Sequence, residues 1–183
     1  MLRQFKKQLL LDITSEGLRI QVVDEQNRPM FNLASAALQP YTRDILRELG
    51  RMLNDVPNRI GLSGHTDSVV YANGERGYSN WELSAERANA SRRELVHGGM
   101  QEAKVLRVVG LSSAVPLDKD NANNPINPRI SIIVMNRRTE QSITGDGPHA
   151  DVGSAAAAGE VLAGAAPAAL SAPAASNPRE AKP

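Results

Sequence analysis

Ser79-Asn80-Trp81-Glu82-Leu83-Ser84-Ala85-Glu86-Arg87-Ala88-Asn89-Ala90-Ser91-Arg92-Arg93-Glu94-Leu95-Val96-His97 is the stretch whose reading decides the fold. Ser79 with Glu82 three residues on fits a capping box, in which the two side chains satisfy free N–H groups at a helix start. Gly98-Gly99 supplies the stop. At about 100° per residue Leu83, Ala88, Ser91 and Leu95 fall on one stripe, so the spacing predicts an amphipathic helix over 79–97 that lies on a sheet. Asn80, Ser84 and Arg87 share the stripe near its amino-terminal end, whereas Glu86, Asn89 and Arg93 face solvent. An arginine on a core-facing stripe must find acceptors, because an unpaired buried charge is very costly.

Reading outward from this helix, Arg59 to Thr66 before it is a strand, with Ile60 and Leu62 facing one way. Further upstream Ile45, Leu46, Leu49, Met52, Leu53 and Val56 recur at three- and four-residue spacing between Pro40 and Pro57, which predicts a helix over Tyr41 to Val56. Leu9, Leu11 and Ile13, then Leu18, Ile20 and Val22, alternate on either side of Ser15-Glu16-Gly17 and predict a hairpin. A short strand is expected from Met30 to Leu33. Downstream, Leu106 to Val109 and Arg129 to Met135 are the last strands. The order β-β-β-α-β-α-β-β predicts an α+β fold, a two-layer sandwich of helices on one mixed sheet.

Composition bounds the rest. With 21 Lys+Arg against 20 Asp+Glu the net charge is +1, which argues against a nucleic-acid partner. No stretch approaches the roughly 18 apolar residues of a membrane span. The absence of Cys excludes disulfides, thiolate metal sites and a Cys nucleophile. Three separated histidines leave no evident metal centre, and no cofactor is expected. After residue 140 the chain turns to Ala, Gly, Pro and Ser, so residues 1–140 are expected to be the folded domain and 141–183 a disordered tail. The amino terminus starts basic, but its apolar run from Leu9 to Leu11 is short for an export signal. Any address is expected on a segment absent from this chain.

Gly64-His65-Thr66-Asp67, where a strand passes into a long connection, is the second candidate feature. Glycine there lets the backbone pass close to a neighbour, and polar groups at strand ends commonly line sites. The residues alone leave two readings of Arg87: a structural ion pair that holds the helix, or an anion-binding group at a helix start where backbone N–H groups already favour negative charge. His65 with Asp67 as hydrolytic metal ligands is a third, weaker reading, and no activated Ser is visible.

Asn80-x-x-Leu83-Ser84-x-x-Arg87-Ala88 with Leu95, and Gly64-His65-Thr66-Asp67 before it, resemble the signature of the OmpA-like peptidoglycan-binding family. Phe31-Asn32-Leu33-Ala34-Ser35 with Leu38 and Pro40, and Asn127-Pro128-Arg129-Ile130, are similar to two further pieces of that family's pattern. Ser91 stands where the family prefers Val, and Pro128 replaces the first of two arginines. The connection from Asp67 to Asn80 is longer than in many members and resembles the wall-anchoring subunits of flagellar motor stators.

The resemblance implies a non-enzymatic grip on the diaminopimelate-containing stem peptide of peptidoglycan. Asp67 would take the ligand ammonium and Arg87 a carboxylate, through a two-pronged hydrogen bond. Thr66, Asn80, Leu83 and Ser84 would complete the frame, with Arg129 at the rim. It also implies a periplasmic domain, a homodimer, and a polytopic stator partner reached through an amino-terminal membrane segment that this chain lacks. Another wall-binding envelope protein of the family (a lipoprotein or porin tail) is the alternative, and a wall hydrolase the remote one.

Overall fold

The computed structural model describes residues 7–24, 28–69 and 77–145. The expected tail therefore lies, from residue 146 on, outside the described residues. The order of elements is β1 (Leu9–Thr14), β2 (Gly17–Val23), α1 (Pro40–Asn54), β3 (Ile60–His65), α2 (Asn80–His97), β4 (Val105–Gly110), β5 (Arg129–Met135) and α3 (Arg137–Thr144). The sheet runs β1-β2-β5-β3-β4, with β3 and β4 parallel and the other pairs antiparallel. This is the mixed sheet of the sequence reading, and β3 lies inside it.

Helices α1 and α2 cover one face. Ile45, Leu46 and Leu49 of α1 and Leu95 of α2 meet Ile60, Leu62, Ile130 and Ile132 of the central strands in one buried cluster. Burying each such side chain is worth about 1.5–3 kcal/mol. Arg47 of α1 donates to Glu94 of α2 at 2.8 Å and ties the two helices across their solvent edge.

α2 begins as expected, with both halves of the Ser79–Glu82 capping box made. Its buried residues include Leu83, Ser84, Arg87, Ala88, Ser91 and Leu95, the stripe expected from the spacing. The helix sits close to the sheet. A Cβ on Gly64 would stand 2.0 Å from the Ser84 carbonyl oxygen, and one on Gly110 2.6 Å from the Ala85 nitrogen. Only glycine lets the two backbones meet this way.

Two features differ from the sequence expectation. Met30 to Leu33 forms no strand: Phe31 makes an isolated antiparallel bridge to Leu38 within a local loop. The chain reverses through Ala34, at φ 50°, so these residues pair with their own loop rather than with the sheet. The second feature is α3, which runs across residue 140. Asn136 caps it, accepting from the Thr139 N–H at 2.9 Å, and Gly145 ends it in the left-handed region at φ 79°.

Candidate functional site

The end of β3, the first turns of α2, the 31–35 loop and the 123–128 loop enclose a cavity of about 490 Å³. Thr66, Asp67, Asn80, Leu83 and Arg87 all line it, so five of the expected site residues are brought together. Ser84 and Arg129 are not among the lining residues.

Arg87 is 8% exposed. Its Nε donates to the Ser35 carbonyl at 3.0 Å, and its guanidinium lies 4.6 Å over the Phe31 ring. The local loop that replaced the expected strand is thus what holds the arginine, with Ala34 in the left-handed region turning the Ser35 carbonyl toward it. Stacking on a ring and a backbone carbonyl are two of the contacts that fix the direction of the guanidinium.

Thr66 is buried, and its N–H donates to the Ser112 carbonyl at 2.9 Å. Its hydroxyl Oγ1 has no hydrogen-bond partner among the described residues. A buried hydroxyl lining a cavity without a partner costs free energy that a ligand can recover. Asp67 stands beside it at the cavity mouth, one carboxylate oxygen accepting from the Val69 N–H at 3.1 Å. Asn80 serves the frame: its Nδ2 donates to the Val69 carbonyl at 2.9 Å, tying the start of α2 to the turn that presents Asp67.

Ser84 works one layer beneath. It is fully buried, donates to the Trp81 carbonyl and accepts the Ser112 N–H at 2.9 Å, fastening α2 to the loop after β4. Arg129 lies on the opposite side of the sheet. Ile130 and Ile132 face the helices, so Arg129, adjacent to Ile130 in a strand, faces away and pairs in register with His65. The expectation that it rims the Asp67 cavity does not fit this geometry. His65 lines the same opposite-face cavity and not that of Asp67, which separates the two residues of the hydrolytic reading. Among the described residues no group of three or more His, Cys, Asp or Glu could hold a metal ion.

Two further contributors had been given no role in the site. Asp24 at the end of β2 lines the cavity, with Oδ1 accepting the Met30 N–H at 2.7 Å. Burial pushes its carboxyl up to about 6, against the weaker attraction of Arg87. In the sequence it looked like an ordinary turn residue. Asn127 is the other: fully buried, it accepts the Asp118 N–H and donates to the Asn121 and Ala122 carbonyls. It thereby shapes the loop carrying Asn123, Pro125 and Pro128, which close the far wall.

Residues 30–128 match the family model described as the OmpA family. The chain belongs to the OmpA family. The matched region holds every lining residue of the cavity except Asp24 and Pro29. Motility protein B of Escherichia coli K12 is 56% identical over 142 residues, which cover 78% of this chain and 46% of that protein. The chain thus spans about half the length of this relative. Among solved structures, the periplasmic domain of Helicobacter pylori MotB superposes with a TM-score of 0.61 at 18% identity, covering 75% of this chain and 88% of that one. The cell wall anchor of the T6SS from Pseudomonas aeruginosa gives 0.60 at 20% identity, covering 73% and 93%. At these identities the two structures establish a shared fold. Among the described residues no helix is long and apolar enough to cross a membrane.

Proposed function

We propose that this OmpA-family domain grips the stem peptide of peptidoglycan, without cleaving it, and anchors a flagellar motor stator unit to the cell wall. One observation carries the reading: a buried cation, a half-buried carboxylate and a hydroxyl without a partner among the described residues line a single cavity. Arg87, Asp67 and Thr66 there match, group for group, what a zwitterionic side chain such as diaminopimelate presents. Asp24 adds a second acidic group beside the arginine. The 56% identity to a motility protein over most of the chain supports the stator setting. In that setting the domain is periplasmic, works as a homodimer, and joins a polytopic partner through a membrane segment outside this chain.

Co-sedimentation of the chain with purified sacculi tests the grip. Asp67→Asn keeps shape and removes the charge that meets the ammonium, so it should weaken retention roughly ten- to hundred-fold with little change in melting temperature. Arg87→Ala should lower both, because the arginine stem is buried against Phe31. A strongly destabilised Asp67→Asn that still binds when folded would make the pair structural rather than ligand-binding. Release of soluble muropeptides by the unmodified chain would overturn the non-enzymatic reading.

A further inference from the structure

The face of the sheet opposite to α1 and α2 carries a second cavity, of about 300 Å³, that the wall-binding proposal leaves unused. Ser63 and His65 of β3 and Arg129 and Ser131 of β5 form its floor, with Arg19 and Arg107 at the rim. The rim charges are already matched. Arg107 donates to both carboxylate oxygens of Glu16 at 2.9 and 3.0 Å, and the Nε of Arg19 donates to Asp12 at 3.0 Å.

The floor charge is not matched. Arg129 is 3% exposed and meets neutral oxygens: Gln21 Oε1 at 2.8 Å, the Val115 carbonyl at 2.9 Å and the Asn127 carbonyl at 3.2 Å. Among the described residues it has no ion pair. A guanidinium carries five N–H donors, and these three contacts leave two. His65, its register partner, is equally buried. Its Nε2 is 3.5 Å from Ser131 Oγ, and its Nδ1 has no partner among the described residues. The two partnerless side-chain atoms of the Gly64-His65-Thr66-Asp67 segment thus belong to adjacent residues that line different cavities.

We infer that this second cavity is an anion site, which takes one carboxylate, phosphate or sulfate group from donors on Arg129, His65 and Ser131. One negative charge there satisfies the orphan imidazole nitrogen, uses the spare guanidinium N–H groups and neutralises the buried cation. The electrostatic setting of the two groups agrees with this. Burial, with the charges of Arg129 and Arg19, pushes His65 down to about 3, while burial and Arg19 push Arg129 down to about 10. The volume admits an anion larger than inorganic phosphate, at the low end of small-molecule sites.

The test uses the full chain with inorganic phosphate, sulfate and acetate as probes, each against chloride at equal ionic strength. NMR of the His65 ring should show a saturable shift with at least one probe, together with a rise in its pKa, because a bound anion favours the imidazolium. The probe that saturates at the lowest concentration names the source chemistry. Ser131→Ala, a small change chosen to preserve the fold, should weaken that binding roughly three- to ten-fold and leave sacculus retention unchanged. His65→Phe, followed on the backbone amide signals of Arg129 and Ser131, should abolish it. A His65 signal that responds to all the probes as it does to chloride, or shifts confined to residues around Arg87, overturns the proposal.

Discussion

Asp24 shows how much one side chain can be set by its surroundings. Its folded pKa of about 6 lies above the ordinary 3.8, so between those values the folded chain holds a proton that the unfolded chain has released. The contribution to stability is complete below about pH 3.8 and is lost as pH rises through about 6. Asp24→Asn keeps an acceptor for the Met30 N–H and removes the charge. The variant should therefore melt above the parent at pH near 7 and match it near pH 4, as thermal denaturation at the two pH values will show. An Asn variant that melts below the parent near pH 7 but matches it near pH 4 would mean that the attraction between Asp24 and Arg87 outweighs burial. At this scale the sequence was half legible. Asp67 and Arg87 stood in recognisable motifs, whereas Asp24 stood in none, because what makes it special is a loop folding over it. Arg129 sits away from that cavity for a simpler reason: alternation along β5 puts its side chain on the face opposite to that of Ile130.

The elements carry the site through contact between backbones. Gly64 admits α2 so closely that its replacement by alanine sets a Cβ 2.0 Å from the Ser84 carbonyl oxygen, and neither backbone can yield cheaply. Gly64→Ala should cost about 3 kcal/mol or more in urea unfolding and lower sacculus binding, since α2 must lift with Asn80 and Arg87 aboard. Gly61→Ala is the internal comparison. Its Cβ would meet the flexible tip of Met135 at 2.7 Å, so the cost should be clearly smaller. Equal losses at the two positions would show that close helix seating is not what the glycine serves. The helices were legible where period and caps agreed, as at Ser79 and Pro40. α3 was not, because Ile143 is its only large apolar residue and it lies where the composition turns to tail. The Met30 to Leu33 segment has strand-forming residues, but a left-handed Ala34 three positions after Phe31 closes it on itself.

For the whole molecule, the described fold ends at the Gly145 cap of α3, and residues 146–183 contain no aromatic residue with which to build a second core. Deleting residues 146–183 should leave the melting temperature and sacculus retention nearly unchanged; a large fall in either would reveal a docked segment. A truncation at residue 140 is a poorer probe, because it cuts through α3.

The position of β3 inside the sheet has a mechanical consequence. The strand that ends beside Thr66 and Asp67 is flanked by β4 on one side and β5 on the other. Tension applied along it from a ligand must slide both ladders together, so the bonds bear load in parallel. The β1–β2 hairpin lies at the sheet's margin, and tension across it opens one pair after another. In a single-molecule pulling experiment, force applied through residue 67 along β3 should rupture the domain at a clearly higher value than force that peels β1. Comparable rupture forces would refute this. A ligand held there, as proposed, would haul on an interior strand.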